Sequence, residues 1–360
     1  MAKSTVAVLK TEPETVLEDY GKLMRMADYE RYLPKDKETA LKINISWHHF
    51  YPACSTTPWQ LEGVIKTMLE DGYAAESLWG AHNRTVVVSA KKGEVANKHK
   101  PILDKYGIRN VHLYENEEWV TYHPKGEMLV LRDIYKSGIQ IPGRLIGSNI
   151  IQLPTVKTHI FTTTTGAMKN AFGGLLHEKR HWTHSVIHET LVDLLTIQKE
   201  IHPGLFAVMD GTFAGDGPGP RCMVPHVKDY ILASADLVAI DAVSAHMMGF
   251  DPLSLDFIRI AHEKGLGCGD FREIEVVGED VSEVNWHFKK DVNTFASRGQ
   301  KAIYWGPLHF AEKFLLRTFL APWSYLASII YHDWYWYPCK GRKRVKEALK
   351  TKWGRLFLQY

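Results

Sequence analysis

Short β-rich runs alternate with amphipathic helical windows along most of this chain, and that alternation constrains its fold more than any other feature. The first half reads TVAVLK, a helix near 13–32, ALKINISW, a helix from about Pro58 to Asp71, ESLWGA, a helix near 94–106 and RNVHLYE. This order is typical of βαβ units on a parallel sheet. The helix at Pro58 has the clearest boundaries, because Thr57 is a candidate N-cap and Gly72 follows its last turn.

A second series of the same kind follows in the middle of the chain. It reads NIIQLP, a helix of about Ser185 to Ile201, LFAVMDG, DYILAS, a helix over LVAIDAVSAHMMG, a helix near 253–264 and EIEVVGE. We therefore expect an α/β fold with a mixed, mainly parallel sheet in two closely packed lobes, residues 1–150 and 151–301. Strand ends in such sheets face a common crevice, where a ligand is expected to bind.

The composition changes from about residue 302, where we predict a helical C-terminal extension, residues 302–360. Aromatic and aliphatic residues crowd into 303–338, and eight basic residues lie between Lys340 and Arg355. Arg317 and Pro322 interrupt the apolar runs, which are too short to span a bilayer as one helix. The extension either packs on the main domain or on a second subunit of a homo-oligomer, or contacts a membrane surface through 303–355.

Charge and cysteine usage exclude several protein classes. The net charge is +3, but residues 303–360 hold ten Lys/Arg and three Asp/Glu, which leaves about −4 for the rest of the chain. This asymmetry argues against a protein-wide nucleic-acid surface. The four cysteines are far apart with no C-x-x-C pair, which fits reduced thiols in a cytosol. The five-residue apolar run near the N-terminus is too short for a signal peptide, so a cytoplasmic protein, peripheral to the membrane at most, is expected.

The segment PTVKTHIFTTTTGAMKNAFGG, Pro154 to Gly174, combines two lysines and six threonines with no acidic residue. Lysine supplies a point charge, hydroxyl and amide groups supply directional hydrogen bonds, and glycines permit close backbone approach. The segment therefore predicts a phosphate or carboxylate site without P-loop spacing. Its candidate residues are Lys157, Thr158, His159, Thr165, Lys169 and Asn170. The alternative is a threonine-rich strand and turn whose lysines are solvated.

The stretch LLHEKRHWTHSVIHE places four histidines at intervals of four, three and four residues. On one continuous helix they would share a face, and His177, His181 and His184 are a candidate ligand set for a divalent metal. Ser185 resembles a helix start, which would leave those three on a loop. There, His181 and Arg180 would serve acid–base chemistry or anion binding. Exposed loop histidines are the alternative.

Two aspartates and a third segment complete the candidate site. Asp210 ends an apolar strand, where a carboxylate is well placed for proton transfer or metal binding. Asp241 falls inside an apolar helix and needs a partner if it is buried, so its role is either structural or functional. The stretch KINISWHHFYPACSTTP brings Lys42 and Asn44 to the end of a strand. A nucleophilic pair of Cys54 with a histidine is an alternative there.

With these pieces in place, the chain resembles the family called domain of unknown function 362, over about residues 41–280. The central match is LPTVKTHIFTTTTGAMKNAFG, supported by KIN, VMDGTFAGDGPGP, ASADLVAIDAVSAHMMGFDP and GLGCGD. Many members of that family carry a ferredoxin-like cysteine cluster and are labelled iron–sulfur proteins. This chain has no such run, so the resemblance does not extend that property to it.

The sequence thus predicts an enzyme that acts on an anionic small molecule in a crevice between the lobes, with metal assistance as an option. Lys157 and Lys169 would hold the anion, and His159 or His181 would move a proton. Asp210 and Asp241 would orient a histidine or hold the metal. The reaction class stays open among lyase, isomerase, hydrolase and cyclisation chemistry. The alternatives are a metal or iron–sulfur redox protein, and a non-catalytic binding protein at a membrane surface.

Overall fold

The computed structural model describes residues 3–83, 85, 87–317 and 322–360, which form twelve strands and fifteen α-helices. The strands are β1 (Thr5–Lys10), β2 (Thr39–Ile43), β3 (Leu78–His82), β4 (Arg109–His112), β5 (Trp119–Tyr122), β6 (Ile139–Pro142), β7 (Asn149–Leu153), β8 (Thr155–His159), β9 (Thr163–Thr164), β10 (Leu205–Asp216), β11 (Val224–Ser234) and β12 (Glu275–Gly278).

The α-helices are α1 (Val16–Met26), α2 (Tyr29–Tyr32), α3 (Pro58–Glu70), α4 (Ala90–Ala96), α5 (His99–Lys105), α6 (Leu131–Ile134), α7 (Ala167–Asn170), α8 (Ile187–Ile201), α9 (Leu237–Met248), α10 (Asp256–Glu263), α11 (Phe295–Tyr304), α12 (Glu312–Arg317), α13 (Pro322–Ile329), α14 (Arg342–Leu349) and α15 (Lys352–Phe357). A 3₁₀ segment, Glu178–Val186, precedes α8, and a π-helix, Ile330–Gly341, joins α13 to α14.

One large sheet organises the molecule and confirms the predicted α/β fold. Its strand order is β12-β1-β11-β10-β7-β2-β3-β4, and β8 pairs with both β10 and β9. Most pairs are parallel, whereas β11 is antiparallel to both of its neighbours and β9 is antiparallel to β8. Both ranges of the predicted lobe division contribute strands to this sheet, so the boundary at residue 150 stays a prediction.

Side chains alternate between two apolar cores, one on each face of the sheet. In β1, Val6 and Val8 join the core that contains α8 and α9, whereas Ala7 and Leu9 join the core that contains α1 and α3. Successive residues of a strand point to opposite faces, so a strand covered on both sides reads as a continuous apolar run. This explains why TVAVLK shows no polar alternation in the sequence.

The predicted boundaries of α3 are confirmed at its start. Thr57 caps the helix by accepting a hydrogen bond from the backbone of Gln60, whose side chain in turn accepts one from the backbone of Thr57. Pro58 occupies the first turn, where its missing N–H costs nothing. The reciprocal bonds satisfy two backbone donors that the helix itself leaves unpaired.

Two predicted elements differ from the sequence interpretation. The window near 94–106 forms two short helices, α4 and α5, because Lys98 between them has left-handed backbone geometry with φ of 65°. The sequence interpretation also ends a strand at Asp210, which is wrong, since β10 continues to Asp216. Pairing with β11 through Asp216, past a bulge after Gly211, keeps this glycine-containing stretch extended.

The C-terminal extension is helical, as predicted, and its last part packs on the main body. Trp353 is fully buried, and its indole lies 5.2 Å from that of Trp59 in α3 and donates to Asp229 at 2.6 Å. Arg344 donates to the carbonyl oxygen of Met223 at 2.7 Å. Part of the basic segment therefore binds the protein itself. Residues 318–321 of the predicted membrane-contact segment lie outside the described residues.

Within the described part of the chain, no helix combines the length and apolar character needed to cross a membrane.

Candidate functional site

A cavity of about 260 Å³ lies at the carboxyl ends of β2 and β3. Its wall is built by residues that follow those strands, by α7 and the turn after it, by the 3₁₀ segment and by the loop after β10. The polar and charged members of the wall are Lys42, Asn44, Ser46, His82, Asn83, Thr85, Lys169, Asn170, Arg180, His181, His184 and Arg221. The carboxyl edge of a parallel sheet is where α/β proteins usually bind ligands.

The wall is cationic and, among its described residues, contains no aspartate or glutamate. Lys42, Lys169, Arg180 and Arg221 face it, and Lys157 lies directly behind Asn44, to whose Oδ1 its ammonium group donates at 3.1 Å. A concave wall lined by charges of one sign attracts ions of the opposite sign. This lining is therefore electrostatically favourable for an anion.

Burial lowers the pKa values of three lysines at this site. Desolvation, with the charge of Arg180 second, lowers the pKa of Lys42 to about 7. Desolvation and the charges of Lys157 and Arg180 lower the pKa of Lys169 to about 7. The pKa of Lys157 falls to about 8 through desolvation. With these pKa values the amines release protons near neutral pH, and a bound anion would favour the protonated forms.

Asn170 joins α7 to the ends of β2 and β7. Its side-chain amide donates to the carbonyl oxygen of Lys42 and to Gln152, both at 2.9 Å. Its Oδ1 accepts a hydrogen bond from Asn44 at 3.1 Å. Asn170 is buried and uses both ends of its amide inside the protein. Its position on the cavity wall is therefore that of a residue that orients Lys42 and Asn44.

Asp241 is buried and holds the start of α7. Its two carboxylate oxygens accept hydrogen bonds from the backbone N–H groups of Ala167 and Met168, at 2.6 and 3.1 Å. Desolvation raises the pKa of this carboxyl group to about 7. A Cβ atom on Gly166 would lie only 2.0 Å from Asp241 Oδ1, so only glycine lets the carboxylate approach. Asp241 thus positions Lys169 and Asn170 and does not line the cavity.

The predicted ligands Thr158 and Thr165 point away from the cavity. Thr158 donates to the carbonyl oxygens of Gly215 and Gly217 at 3.2 and 2.7 Å, and Thr165 donates to that of Lys157 at 3.2 Å. The Thr158 hydroxyl group links β8 to the end of β10 and to the loop after it. The Thr165 hydroxyl group links the residue after β9 back to β8. Both hydroxyl groups therefore stabilise the backbone around β8.

His159 is buried and its ring is committed to a turn. Its Nδ1 accepts hydrogen bonds from the backbone N–H groups of Phe161 and Thr162, at 3.1 and 3.4 Å. Desolvation, with the charge of Lys169 second, holds its pKa well below the usual value. This pattern fits a neutral ring whose proton is on Nε2. His159 is not on the described cavity wall.

The predicted metal ligands do not meet as a group. His177 packs edge-on against Trp119 at 5.2 Å, His181 shares a hydrogen bond with Tyr325 at 3.1 Å, and His184 contacts the carbonyl oxygen of His181 at 3.0 Å. They lie on or just before the 3₁₀ segment. Desolvation lowers the pKa of His184 to about 3. His181 and His184 line the cavity, whereas His177 does not.

Asp210 lies outside the cavity, in a buried hydrogen-bond cluster. Its carboxylate accepts bonds from Tyr20 at 2.7 Å, from Thr57 and Trp59 at 2.9 Å, and from Thr212 at 2.8 and 3.1 Å. These donors come from α1, the start of α3 and β10 itself. The Asp210 carboxylate, which the sequence suggested as a catalytic group, therefore links α1 and the start of α3 to β10.

Sequence reasoning missed five polar residues of the cavity wall, which are Ser46, His82, Asn83, Thr85 and Arg221. His82 is the last residue of β3 and Asn83 follows it, so the strand-end argument used for Lys42 and Asn44 at β2 also identifies these two. Arg221 comes after the glycine–proline loop, and one of its buried guanidinium nitrogens, Nη1, makes no hydrogen bond to any described residue. Only the fold shows that this arginine reaches the site.

Replacing Gly166 by alanine should unfold the site locally, because the added Cβ would overlap the Asp241 carboxylate. We expect a loss of about 2 kcal/mol or more in the free energy of unfolding, measured by urea titration. Gly173→Ala is the matched control, since a Cβ there meets no described atom within 4 Å. Equal stability of the two variants would contradict the assigned role of Gly166.

Comparison with known proteins adds a family and one relative. A thylakoid-associated protein of Synechocystis sp. is 30% identical over 124 residues, which are 32% of this chain and 37% of that protein. The match thus spans little more than a third of the relative's length. No solved structure matches. The family model described as domain of unknown function (DUF362) matches residues 39–246. Because this match covers more than half of the chain, the protein belongs to the DUF362 family.

Proposed function

We propose that this protein is an enzyme that binds an anionic small molecule, a carboxylate or a phosphate, in the cavity at the ends of β2 and β3. The observation that carries the proposal is the cationic wall: Lys42, Lys169, Arg180 and Arg221 face one space whose described lining residues include no acid. Arginine can bind a carboxylate or phosphate in a planar, bidentate manner, and lysine adds a compact positive charge.

Acid–base chemistry in this cavity rests on lysine more than on the histidine that the sequence suggested. Lys42 and Lys169 have pKa values of about 7, so each exchanges a proton near neutral pH. His181 is on the wall and is a second candidate for proton transfer. A lysine that is neutral before binding can accept a proton from the substrate, and the other cations then stabilise the negative charge that develops.

The cysteines give little support to a thiolate or cluster mechanism. Desolvation raises the pKa of Cys54 to about 11 and that of Cys222 to about 12, so both stay protonated thiols at neutral pH. Cys268 has a raised pKa as well, again through desolvation first. Among the described residues, no close group of three or more metal-ligating side chains includes a cysteine.

Replacing Lys169 by methionine should weaken anion binding by at least about tenfold, since one charge-assisted hydrogen bond is lost. Lys42→Met should have a similar effect, and the double variant should show no saturable binding. Sulfate and phosphate are suitable probes, measured by calorimetry and by the shift in melting temperature.

Lys100→Met is the control, because Lys100 is exposed and its ion pair is with Asp104 on its own helix. Methionine keeps the length and the apolar part of the lysine side chain, so the variants should fold. Circular dichroism tests this directly. Unchanged sulfate and phosphate affinity in folded Lys42→Met and Lys169→Met proteins would contradict the proposed site.

Anion binding should also weaken as the pH rises from about 6 to about 9, because Lys42, Lys169 and Lys157 lose their protons across this range. The anion favours the protonated lysines, so binding at about pH 8 should take up protons. Sulfate is the better probe here, since its own charge is constant over this range. Calorimetry in buffers of different ionisation enthalpy measures the uptake. A flat affinity profile would contradict the lysine assignment.

A second candidate function is contact with a membrane surface, favoured by one specific observation. Of the sixteen large hydrophobic residues that are exposed in the described structure, ten lie between residues 295 and 335, including Phe310 at 86% and Phe295 at 85%. The nearby helix α14 contributes Arg342, Lys343 and Lys346. Exposed aromatics with basic residues suit an anionic lipid interface. The Synechocystis relative is a thylakoid-associated protein, which agrees with this candidate.

The double variant Phe295→Ser, Phe310→Ser should lower binding to vesicles at least several-fold, because two exposed rings no longer enter the interface. Sedimentation with phosphatidylcholine vesicles, with and without phosphatidylglycerol, measures this. The control is Val95→Ser, Leu358→Ser, which changes exposed apolar residues elsewhere. If the wild-type protein does not sediment with either vesicle at low salt, the membrane candidate is wrong.

A further inference from the structure

A second cavity, of about 880 Å³, lies beside the cationic one and shares part of its wall. The shared residues are Thr85, Val87, Val88 and Ala90. On its far side, His48 and His49 from the segment after β2 meet Asp333 from the π-helix Ile330–Gly341. These three were not among the predicted metal ligands.

The three side chains are close enough to share one ion. One ligand atom of each residue lies within 4.8 Å of the others, and this is the only such group among the described residues. His48 Nε2 and Asp333 Oδ2 are 3.6 Å apart. Ligand atoms around a tetrahedral zinc ion, with bonds of about 2.0–2.2 Å, lie about 3.4 Å from each other. This pair therefore already has a spacing suited to a metal.

Neighbouring aromatic residues fix the orientation of two of these side chains. Trp47 Nε1 donates to Asp333 Oδ1 at 2.6 Å, which leaves Oδ2 directed at His48. The ring of His49 stacks on Tyr337, with centroids 4.3 Å apart and planes inclined by 12°. Partners that orient a ligand in this way are typical of metal sites. In addition, His48 Nδ1 is buried without a hydrogen bond to any described residue.

Charges of both signs act on the two histidines. Lys92, Arg221 and Arg342 contribute positive charge, and the Asp333 carboxylate contributes negative charge. A dication here would meet some repulsion, which an anion or hydroxide at an open position would offset.

We propose that His48, His49 and Asp333 bind a divalent transition-metal ion, with zinc as the best match, and leave its remaining position open to the 880 Å³ cavity. Two imidazoles and one carboxylate form a donor set that zinc uses when it keeps a position for water or substrate. The ion would also join the segment after β2 to the C-terminal extension. The site is separate from the lysine cavity and does not depend on the anion-binding proposal.

The test is a titration of the tag-free, chelator-treated full chain with Zn²⁺ in competition with a chromophoric chelator. Wild-type protein should bind one ion per chain, and Co²⁺ should give the visible absorption of a four- or five-coordinate site. His48→Gln and Asp333→Asn should each weaken zinc binding by at least about tenfold. Asparagine still accepts the bond from Trp47, so this variant should fold.

His123→Ala is the control, because His123 is exposed and does not line the 880 Å³ cavity. It should leave zinc affinity unchanged, and so should Lys169→Met, which separates this test from that of the anion site. Absence of a one-to-one zinc complex in the wild-type protein would overturn the proposal. Equal zinc affinity in wild-type, His48→Gln and Asp333→Asn proteins would overturn it as well.

Discussion

The contact between the buried Asp241 carboxylate and the first two N–H groups of α7 is the constraint on which the cationic cavity depends. A carboxylate at this depth survives only with donors on both oxygens, and the start of a helix offers unpaired donors. The approach requires a residue without a Cβ at position 166. From this anchor, four residues of helix suffice to place Lys169 at the cavity and Asn170 over the end of β2.

Asn170 connects α7 to the large sheet through hydrogen bonds. Because its amide satisfies the carbonyl oxygen of Lys42 and the side chains of Gln152 and Asn44, direct hydrogen bonds hold the ends of β2 and β7 together. Burial in the same region desolvates Lys42 and Lys169 and lowers their pKa values. The same burial of hydrogen-bonded polar groups therefore both orders the cavity wall and lowers the pKa values of Lys42 and Lys169.

Much of the fold could be predicted from the sequence, since β1, β2, β3, β7 and α3 follow from local patterns and caps. Within the site, the motif around Lys169 could be identified from the sequence. The hydroxyl group of Thr158, expected to face a ligand, instead donates to backbone carbonyl oxygens. Asp210 was similarly misleading, because only tertiary structure brings Tyr20, Thr57 and Trp59 to it. A sequence shows which groups are polar, whereas their partners depend on contacts distant along the chain.

The two neighbouring cavities differ in where their residues lie relative to the family match. Every described residue that lines the lysine cavity falls between positions 42 and 221, inside the matched range 39–246. The second cavity needs Ile329, Asp333 and Trp334 from the C-terminal extension, outside that range. The described lining of the cationic cavity therefore comes from the family domain, whereas the His48–His49–Asp333 cluster requires the extension. In this chain, the residues after 302 add a wall and a carboxylate beside the site that the family domain already contains.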